Sequence, residues 1–399
     1  MTPRPSQPPT RWGLVLLAVG AGVVAAMQVG KVPPALPAIR AELAIGMVEG
    51  GWVASLFAVT SATIGIAAGL LGDRFGPRSA AAGALACIAL GSLAGGFADG
   101  LAWLLAARFL ESIGFVGLVV SVPALIVTLT APGDRGKAIG LWSTYLPTGF
   151  ALMLLAAPPL LSAQGWRGLW FWNAGLVAVF LLLFWLAFRR AETPVAGQRA
   201  RRSWREVGQS LARPGAWLLA FCFSLYALQW FAIMTWLPTY LIESQGRPAA
   251  GAATITALVV LINIGGNLSG TWLSERRVPR WLLITVSALA TGCLGGGIFT
   301  GLVPEDAKLV LAFAYSLIAG VTPAAALIGA VHHAPSPAHV ASTNGIVIQG
   351  AQCGSLLGPP VLAWVVGGAA GWSQAPWLFL GLSTCSVVLA LVLRRVERR

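Results

Sequence analysis

Residues 69–78 read GLLGDRFGPR, a short charged stretch between long apolar segments. Only 10% of the 399 residues are charged and 57% are hydrophobic, whereas a typical soluble chain is about 25% charged. A chain of this size with so little polar surface must expose its apolar side chains to lipid instead of water. We therefore predict that the stretch is a turn joining two membrane-spanning helices on one side of a bilayer.

Apolar runs long enough to cross a bilayer, which takes about 20 residues, recur along the whole chain. They predict twelve transmembrane helices, and the quoted turn joins the second helix to the third. The runs lie at 12–37, 50–71, 79–98, 101–129, 136–160, 168–188, 214–242, 250–273, 280–301, 306–332, 340–366 and 374–393.

Lys and Arg residues are distributed unevenly between the two sides of these spans. If the N-terminus is cytoplasmic, 20 of the 26 basic residues fall in cytoplasmic segments, as the positive-inside rule requires. We therefore predict a multi-pass protein of the bacterial cytoplasmic (inner) membrane with both termini in the cytoplasm. The net charge of +13 follows from this topology. It indicates no nucleic-acid partner, because the basic residues lie between apolar runs and not on one face.

A basic linker at 189–213 divides the chain. It separates an N-terminal six-helix bundle (1–188) from a C-terminal six-helix bundle (214–399). The turn 69–78 also has a counterpart at 270–280, GTWLSERRVPR, where a small residue, an acid–base pair and a closing Pro-Arg recur. Parallel repeats of this kind are typical of transporters with a binding site between the halves. We therefore expect an all-α integral membrane protein with twelve transmembrane helices in two halves related by pseudo-twofold symmetry.

The twelve spans, the central basic linker and the pattern G-x-x-x-D-R-x-G-x-R resemble the major facilitator superfamily. The fourth span carries a second resemblance in residues 108–114, RFLESIG, where Ser112 replaces the usual Gly. GKVPPALPAI at 30–39 and NGIVIQGAQCGSLLGPP at 344–360 resemble the branch that contains cyanate-permease-like carriers. The residues that match the first pattern are Gly69, Asp73, Arg74, Gly76 and Arg78.

The resemblance implies that the turn 69–78 acts as a cytoplasmic gate. Asp73 near a helix N-terminus of the other half would form a charge-assisted latch that breaks in each transport cycle. Arg74 or Arg78 near carboxylates would add to this latch. The alternative is that both arginines only fix the topology, while Asp73 caps a loop.

Ionisable residues at membrane depth are rare in this chain and mark candidate functional positions. At 1.5 Å per helical residue, Lys31 and Arg108 lie about 10 Å below the outer surface, and Glu111 about 15 Å below it. The resemblance implies that spans 1 and 4 line a central cavity. We predict that Lys31, Arg108 and the neighbouring Gln28 bind an anionic substrate. For proton coupling we predict Glu111 together with Arg108: Glu111 carries the proton in one state, and the neighbouring Arg108 alters the pKa of Glu111.

Two alternatives stay open for these charges. Lys31 could instead extend its ammonium group to the outer lipid headgroups, because a long side chain at this depth can reach them. Arg108 and Glu111, three residues apart, could form a local ion pair that only holds the fourth span in place.

Neutral polar and aromatic residues in other spans complete the predicted lining of the cavity. A lone amide in mid-span often bonds another helix, and aromatic residues often pack between helices or lie at the lipid interface. Trp236 and Tyr240, near an outer helix end, are expected in such an interfacial belt. The candidates for substrate contact are Tyr145, Tyr226, Gln229, Trp230, Gln349 and Gln352.

The sequence contains no pattern that indicates catalysis, a cofactor or a metal. It has no Walker A motif and no nucleophile–base constellation, so we expect neither an enzyme nor an ATP-driven pump. The five cysteines fall within apolar runs and indicate no disulfide framework. His332, His333 and His339 cluster in one predicted loop without a nearby Cys or carboxylate, and we expect them to be solvated.

These features predict a secondary active transporter that moves a small organic anion, such as a carboxylate, by alternating access. Anion uptake against an inside-negative potential costs about 2.3 kcal/mol per charge per 100 mV. A co-transported proton, or a sodium ion, would offset that cost and favour uptake. We expect a monomer in the lipid bilayer that needs no cofactor.

Two other functions remain open from the sequence. One is a drug/proton antiporter that exports hydrophobic compounds, because Pro147 and Gly149 form an incomplete match to a motif of exporters in span 5. The other is a non-transporting membrane sensor or scaffold, although no soluble domain is appended to the spans.

Overall fold

The computed structural model describes residues 9–63, 76–189, 211–336 and 339–398, and every regular element in these ranges is helical. Ten of the described helical stretches are long and apolar enough to cross a membrane. One of them, Pro132–Phe188, has 57 residues and covers the predicted spans 136–160 and 168–188. Its backbone breaks at Gly165, where φ is +65°, a conformation that favours glycine. The prediction of an all-helical multi-pass membrane protein is confirmed, whereas twelve spans and a pseudo-twofold relation stay predictions.

The first half of the chain, residues 9–189, contains seven α-helices of which every residue is described, and residues 59–63 are also helical. Two single 3₁₀ turns, Leu56–Ala58 and Pro132–Asp134, follow α3 and precede α6. The helices are α1 (Trp12–Gly30), α2 (Val32–Leu43), α3 (Met47–Ser55), α4 (Pro77–Gly96), α5 (Leu101–Leu129), α6 (Arg135–Trp142) and α7 (Tyr145–Phe188).

The second half, residues 211–398, contains seven more α-helices of which every residue is described. The division into two bundles at the linker stays a prediction, because residues 190–210 lie outside the described residues. The helices are α8 (Pro214–Glu243), α9 (Ala249–Glu275), α10 (Arg280–Phe299), α11 (Glu305–Ala319), α12 (Val321–His333), α13 (Val340–Val366) and α14 (Ala375–Glu397).

The first span is interrupted at Lys31, between α1 and α2. Pro33 and Pro34 have no N–H, so the carbonyls four residues earlier lose their usual helical donors. Lys31 keeps a helical backbone, and its N–H still donates to the carbonyl of Met27 at 3.0 Å. The interruption therefore frees backbone acceptors near Lys31 at a depth where water is scarce.

The two halves touch at the helix ends that the charge pattern predicts to be outside. A Cβ atom on Gly51 of α3 would lie 2.7 Å from the Cα of Pro360 in α13, so only a glycine allows these backbones to approach so closely. Arg40 of α2 and Glu243 of α8 form a half-exposed ion pair at 3.3 Å. These contacts join α2 and α3 to α8 and α13.

The predicted gate lies largely outside the described residues, which exclude Gly69, Asp73 and Arg74. Gly76 immediately precedes α4 and has a φ of +74°, which suits a residue without a side chain. Arg78 lies in the first turn of α4 and is half-buried. The latch therefore stays a prediction.

Candidate functional site

Three ionisable side chains form a buried cluster in the first half. Lys31 follows α1, while Arg108 and Glu111 lie on α5, and their exposed fractions are 0%, 0% and 1%. We call these three residues the buried ion cluster. Charges removed from water must be paired and hydrogen-bonded, because desolvation costs several kcal/mol per ion.

The ammonium group of Lys31 is fully hydrogen-bonded. Its Nζ atom donates to Oε1 of Glu111 at 2.6 Å, to Oγ of Ser92 at 2.8 Å and to Oε1 of Gln28 at 2.7 Å. It also lies 4.4 Å from the centre of the Trp170 ring, a cation–π distance. Lys31 therefore does not extend to the lipid headgroups, and that alternative is wrong.

Arg108 connects the same carboxylate to two backbone carbonyls. Its Nε donates to the carbonyl of Val53 at 3.0 Å, and its Nη1 donates to the carbonyl of Gln28 at 3.1 Å. Nη1 also donates to Oε2 of Glu111. Glu111 is thus shared between Arg108 and Lys31. The pair Arg108–Glu111 is therefore not merely a local contact along one helix.

Sequence reasoning missed three members of this environment, Ser92 on α4 and Trp170 and Asn173 on α7. Ser92 Oγ lies 2.8 Å from Oε1 of both Glu111 and Gln28. The side-chain amide of Gln28 donates to Oδ1 of Asn173. Single polar residues in apolar helices give no periodic pattern, so only their mid-span position could have identified them.

The cluster has more positive charge and more donors than acceptors. Two cations face one carboxylate, which leaves a net charge of +1 when all three groups are ionised. Arg108 Nη2, Trp170 Nε1 and Asn173 Nδ2 are buried and have no hydrogen-bond partner among the described residues. Each buried donor without an acceptor costs about 1–3 kcal/mol. The arrangement is chemically suited to receive an anion.

The polar contacts of the cluster among the described residues all lie within the first half, and aromatic rings near it reach the second half. Phe115, one turn after Glu111, lies 5.4 Å from Phe57, ring centre to ring centre. Phe57 in turn lies 5.3 Å from Phe231 of α8. These three rings form an aromatic layer at the contact between the halves, one helical turn from Glu111.

Two of the predicted lining residues reach the contact between the halves. Trp230 of α8 is buried beside Phe150 of α7, at 6.1 Å between ring centres, and its Nε1 has no partner among the described residues. Gln349 of α13 donates from Nε2 to the carbonyl of Ala62 at 3.0 Å. Both side chains therefore lie where the two halves meet in this structure.

Among the other predicted lining residues, Tyr145 and Gln229 make contacts within one half. Tyr145 stacks on Trp142 at 4.3 Å between ring centres. Gln229 accepts a hydrogen bond at Oε1 from Oγ of Ser383 at 3.3 Å. Tyr226 and Gln352 are half-buried on α8 and α13.

The interpretation of Trp236 and Tyr240 as interfacial residues is wrong, and the expectation for the histidines is wrong in part, because His332 is exposed but His333 has a carboxylate partner. Trp236 and Tyr240 are 0% and 3% exposed, and their polar atoms donate to the backbone carbonyls of Pro359 and Ile298 on other helices. His332 and His333 end α12 instead of lying in a loop. Nε2 of His333 lies 3.3 Å from Oε1 of Glu397. Glu397 lies on α14, 64 residues further along the chain.

Ser112 stands where the family pattern of residues 108–114 usually has a glycine. Its side chain connects α5 to the second span. Its Oγ donates to the carbonyl of Phe57 at 2.9 Å and accepts from the N–H of Thr60 at 3.1 Å. The 3₁₀ turn Leu56–Ala58 would leave these backbone groups without helical partners. The serine that stands in place of the usual glycine therefore supplies hydrogen-bond partners for the backbone carbonyl of Phe57 and the N–H of Thr60.

Comparisons with known proteins agree with this architecture. The niacin transporter NiaP of Acinetobacter baylyi is 25% identical over 296 residues, which cover 66% of this chain and 67% of that protein. The hexuronate transporter of Bacillus subtilis is 22% identical over 386 residues, 93% of this chain and 91% of that protein. Both are named as transporters and neither as an enzyme.

A solved structure shares the fold. It is a bacterial homologue of the human lysosomal transporter Spinster in an inward-facing and occupied conformation, with a TM-score of 0.83. The two chains are 18% identical, and the match covers 98% of each. The family model of the Major Facilitator Superfamily matches residues 18–339, which confirms the resemblance seen in the sequence. This chain is a transporter-family protein and not an enzyme, and it belongs to the Major Facilitator Superfamily.

Proposed function

We propose that this chain is a secondary active transporter that carries a small organic anion across the bacterial cytoplasmic membrane by alternating access. The observation that carries the proposal is the excess of positive charge and donors in the buried ion cluster of Lys31, Arg108 and Glu111. The two relatives named for niacin and hexuronate support it, because both compounds are carboxylic acids.

The proposed path of the substrate runs between two six-helix halves with twelve spans in all. Trp230 and Gln349, where the halves meet, would contact the body of the substrate. Tyr145, Tyr226, Gln229 and Gln352 are the further proposed contacts. The substrate carboxylate would approach Lys31 and Arg108 once the aromatic layer at Phe57 opens.

The proposed coupling ion is a proton carried by Glu111. A proton on Glu111 would raise the net charge of the cluster from +1 to +2, which would strengthen the attraction for an anion. Because binding linkage is reciprocal, the bound anion would favour the proton by the same factor. One proton per monovalent anion makes uptake electroneutral, which removes the cost of about 2.3 kcal/mol per 100 mV.

A thermal-shift screen of the purified chain tests the substrate class. Niacin and glucuronate are the probe anions, and nicotinamide is the matched neutral control because it replaces only the carboxylate with an amide. A ligand present at about 100 times its Kd stabilises the folded state by about 2.7 kcal/mol. We expect the probe anions to raise the melting temperature and nicotinamide to leave it unchanged. Equal shifts with nicotinamide would contradict recognition of the carboxylate.

The second candidate is a drug/proton antiporter that exports hydrophobic compounds. The aromatic contacts Phe57–Phe231 and Phe150–Trp230 favour it, because they form an apolar surface between the halves. The same screen separates the two functions when hydrophobic cations are included. Stabilisation by such cations alone would favour export over anion uptake.

A further inference from the structure

A basic cleft opens at the end of the second half that the charge pattern predicts to be cytoplasmic. It has a volume of about 410 Å³ and lies where α9, α10, α12 and α14 end or begin. We call it the inner basic cleft. Its lining includes Arg277, Arg280, Arg394, Arg398, Glu397 and Ile328.

The arginines of the cleft exceed the carboxylates that could neutralise them. Glu397 is the only acidic side chain among the described residues that line it. Oε1 of Glu397 accepts from Nε of Arg280 at 2.9 Å and lies 3.3 Å from Nε2 of His333. Three of the four lining arginines, Arg277, Arg394 and Arg398, have no ion pair with a described carboxylate. These arginines differ from scattered basic residues that only fix the membrane topology, because all four line the same cavity.

Arg394 is held in place with an unused donor. Its guanidinium carbon lies 4.4 Å from the centre of the Trp281 ring, which also lines the cleft. Its Nε is buried and has no acceptor among the described residues. Stacked arginine keeps a planar fork available for bidentate binding, the geometry that a phosphate matches. The 20-residue helix α10 also begins at Arg280 with its N-terminus in this cleft, which favours an anion.

The cleft also has an apolar edge that faces away from the protein interior. Ile328 lines it and remains 38% exposed, and Val331, three residues later on α12, is 51% exposed. A free metabolite in water would gain little from such an edge. A phospholipid would place its headgroup among the arginines and its acyl chains along the exposed apolar side chains.

We propose that the inner basic cleft binds the phosphate of an anionic phospholipid headgroup. The site is separate from the buried ion cluster and does not depend on the identity of the transported substrate. Its ligand chemistry, a phosphate between guanidinium groups, could also come from free inorganic phosphate. The test therefore needs both sources as probes.

The experiment measures binding of phosphatidylglycerol to the full chain in detergent by native mass spectrometry, with phosphatidylcholine as the neutral lipid. The test variant is the double substitution Arg277→Gln with Arg394→Gln. The matched control is Arg276→Gln with Arg395→Gln, which removes the same charge from adjacent residues outside the lining. Each cationic residue contributes about 1 kcal/mol to anionic-lipid binding, so the test variant should bind about 10- to 30-fold more weakly. The control should change affinity less than threefold.

A gain-of-binding variant keeps the test valid if the double variant folds poorly. Glu397→Gln removes the competing carboxylate and frees Arg280, so phosphatidylglycerol should bind about fivefold more tightly. Equal losses in the test and control variants, or no gain with Glu397→Gln, would overturn the proposal. Protection from thermal unfolding by inorganic phosphate equal to that by phosphatidylglycerol would also overturn it, because the site would then take free phosphate.

Discussion

Nζ of Lys31 lies 2.6 Å from Oε1 of Glu111, and their side chains are 0% and 1% exposed. The pair connects the end of α1 to α5 across 80 residues of sequence. Removing one partner from a buried pair costs about 3–5 kcal/mol, because the other charge stays buried without compensation. Any transport cycle must therefore supply a substitute partner whenever this contact opens, and an anion or a proton is suited to that role.

Replacing Lys31 should abolish tight binding of an anion. Lys31→Ala removes the surplus positive charge, so we expect the binding free energy of a probe anion to weaken by roughly 2–5 kcal/mol. Lys31→Arg should also impair binding, because a planar fork does not replace a point charge. Isothermal titration calorimetry measures both. Lys308→Ala is the control, since Lys308 pairs with Glu305 in the second half. An unchanged Kd in Lys31→Ala would remove Lys31 from the anion site.

Glu111→Gln should uncouple transport from the proton gradient. The glutamine amide keeps an oxygen near Ser92, but it neither binds nor releases a proton at physiological pH. We expect proteoliposomes with this variant to lose pH-driven accumulation of the probe anion while retaining exchange of anion for anion. Glu305→Gln changes an exposed carboxylate and serves as the control. Full pH-driven accumulation by Glu111→Gln would show that another group carries the proton.

Gly51→Ala should slow the transport cycle. Its Cβ would lie 2.7 Å from Cα of Pro360 and 2.8 Å from its nitrogen, so the halves could not close fully at this end. Gly83→Ala is the matched control, because a Cβ at Gly83 meets no atom within 4 Å. We expect at least a fivefold lower rate for Gly51→Ala only, with ligand affinity retained. Equal rates for the two variants would show that this close approach is not required.

Asp73→Asn tests the predicted gate, which lies outside the described residues. If Asp73 latches the closed state at the cytoplasmic side, the substitution should slow transport and leave ligand affinity nearly intact. Asp99→Asn is the control, since Asp99 is exposed in the turn between α4 and α5. A full transport rate in Asp73→Asn would reduce the stretch 69–78 to a turn that fixes the topology.

The sequence alone predicted the helical membrane architecture and the three members of the buried ion cluster. Length, hydropathy and basic residues act over whole segments, so they predict spans without knowledge of packing. Lys31, Arg108 and Glu111 were recognisable because charge at membrane depth is costly. The sequence did not predict that Lys31 and Arg108 share the carboxylate of Glu111. The contact between Lys31 and Glu111 spans 80 residues and depends on how α1 packs against α5.

What the sequence could not show depends on contacts between distant helices. Ser92 and Asn173 give no pattern of their own, and their roles follow from partners 19 or more residues away. The position of Trp236 near a helix end predicted an interfacial residue, whereas its Nε1 donates to the carbonyl of Pro359 on another helix at 2.8 Å. His333 likewise gained a carboxylate partner only through the packing of α12 against α14.

Uptake into proteoliposomes tests the central claim of proton-coupled anion transport most directly. The chain is reconstituted with a pH gradient that is acidic on the side of uptake, and entry of radiolabelled niacin and glucuronate is measured beside nicotinamide and a hydrophobic cation. We predict that at least one probe anion accumulates above its external concentration, that collapse of the gradient abolishes this accumulation, and that Lys31→Ala shows none. Accumulation of the hydrophobic cation, with no uptake of either anion, would contradict the account.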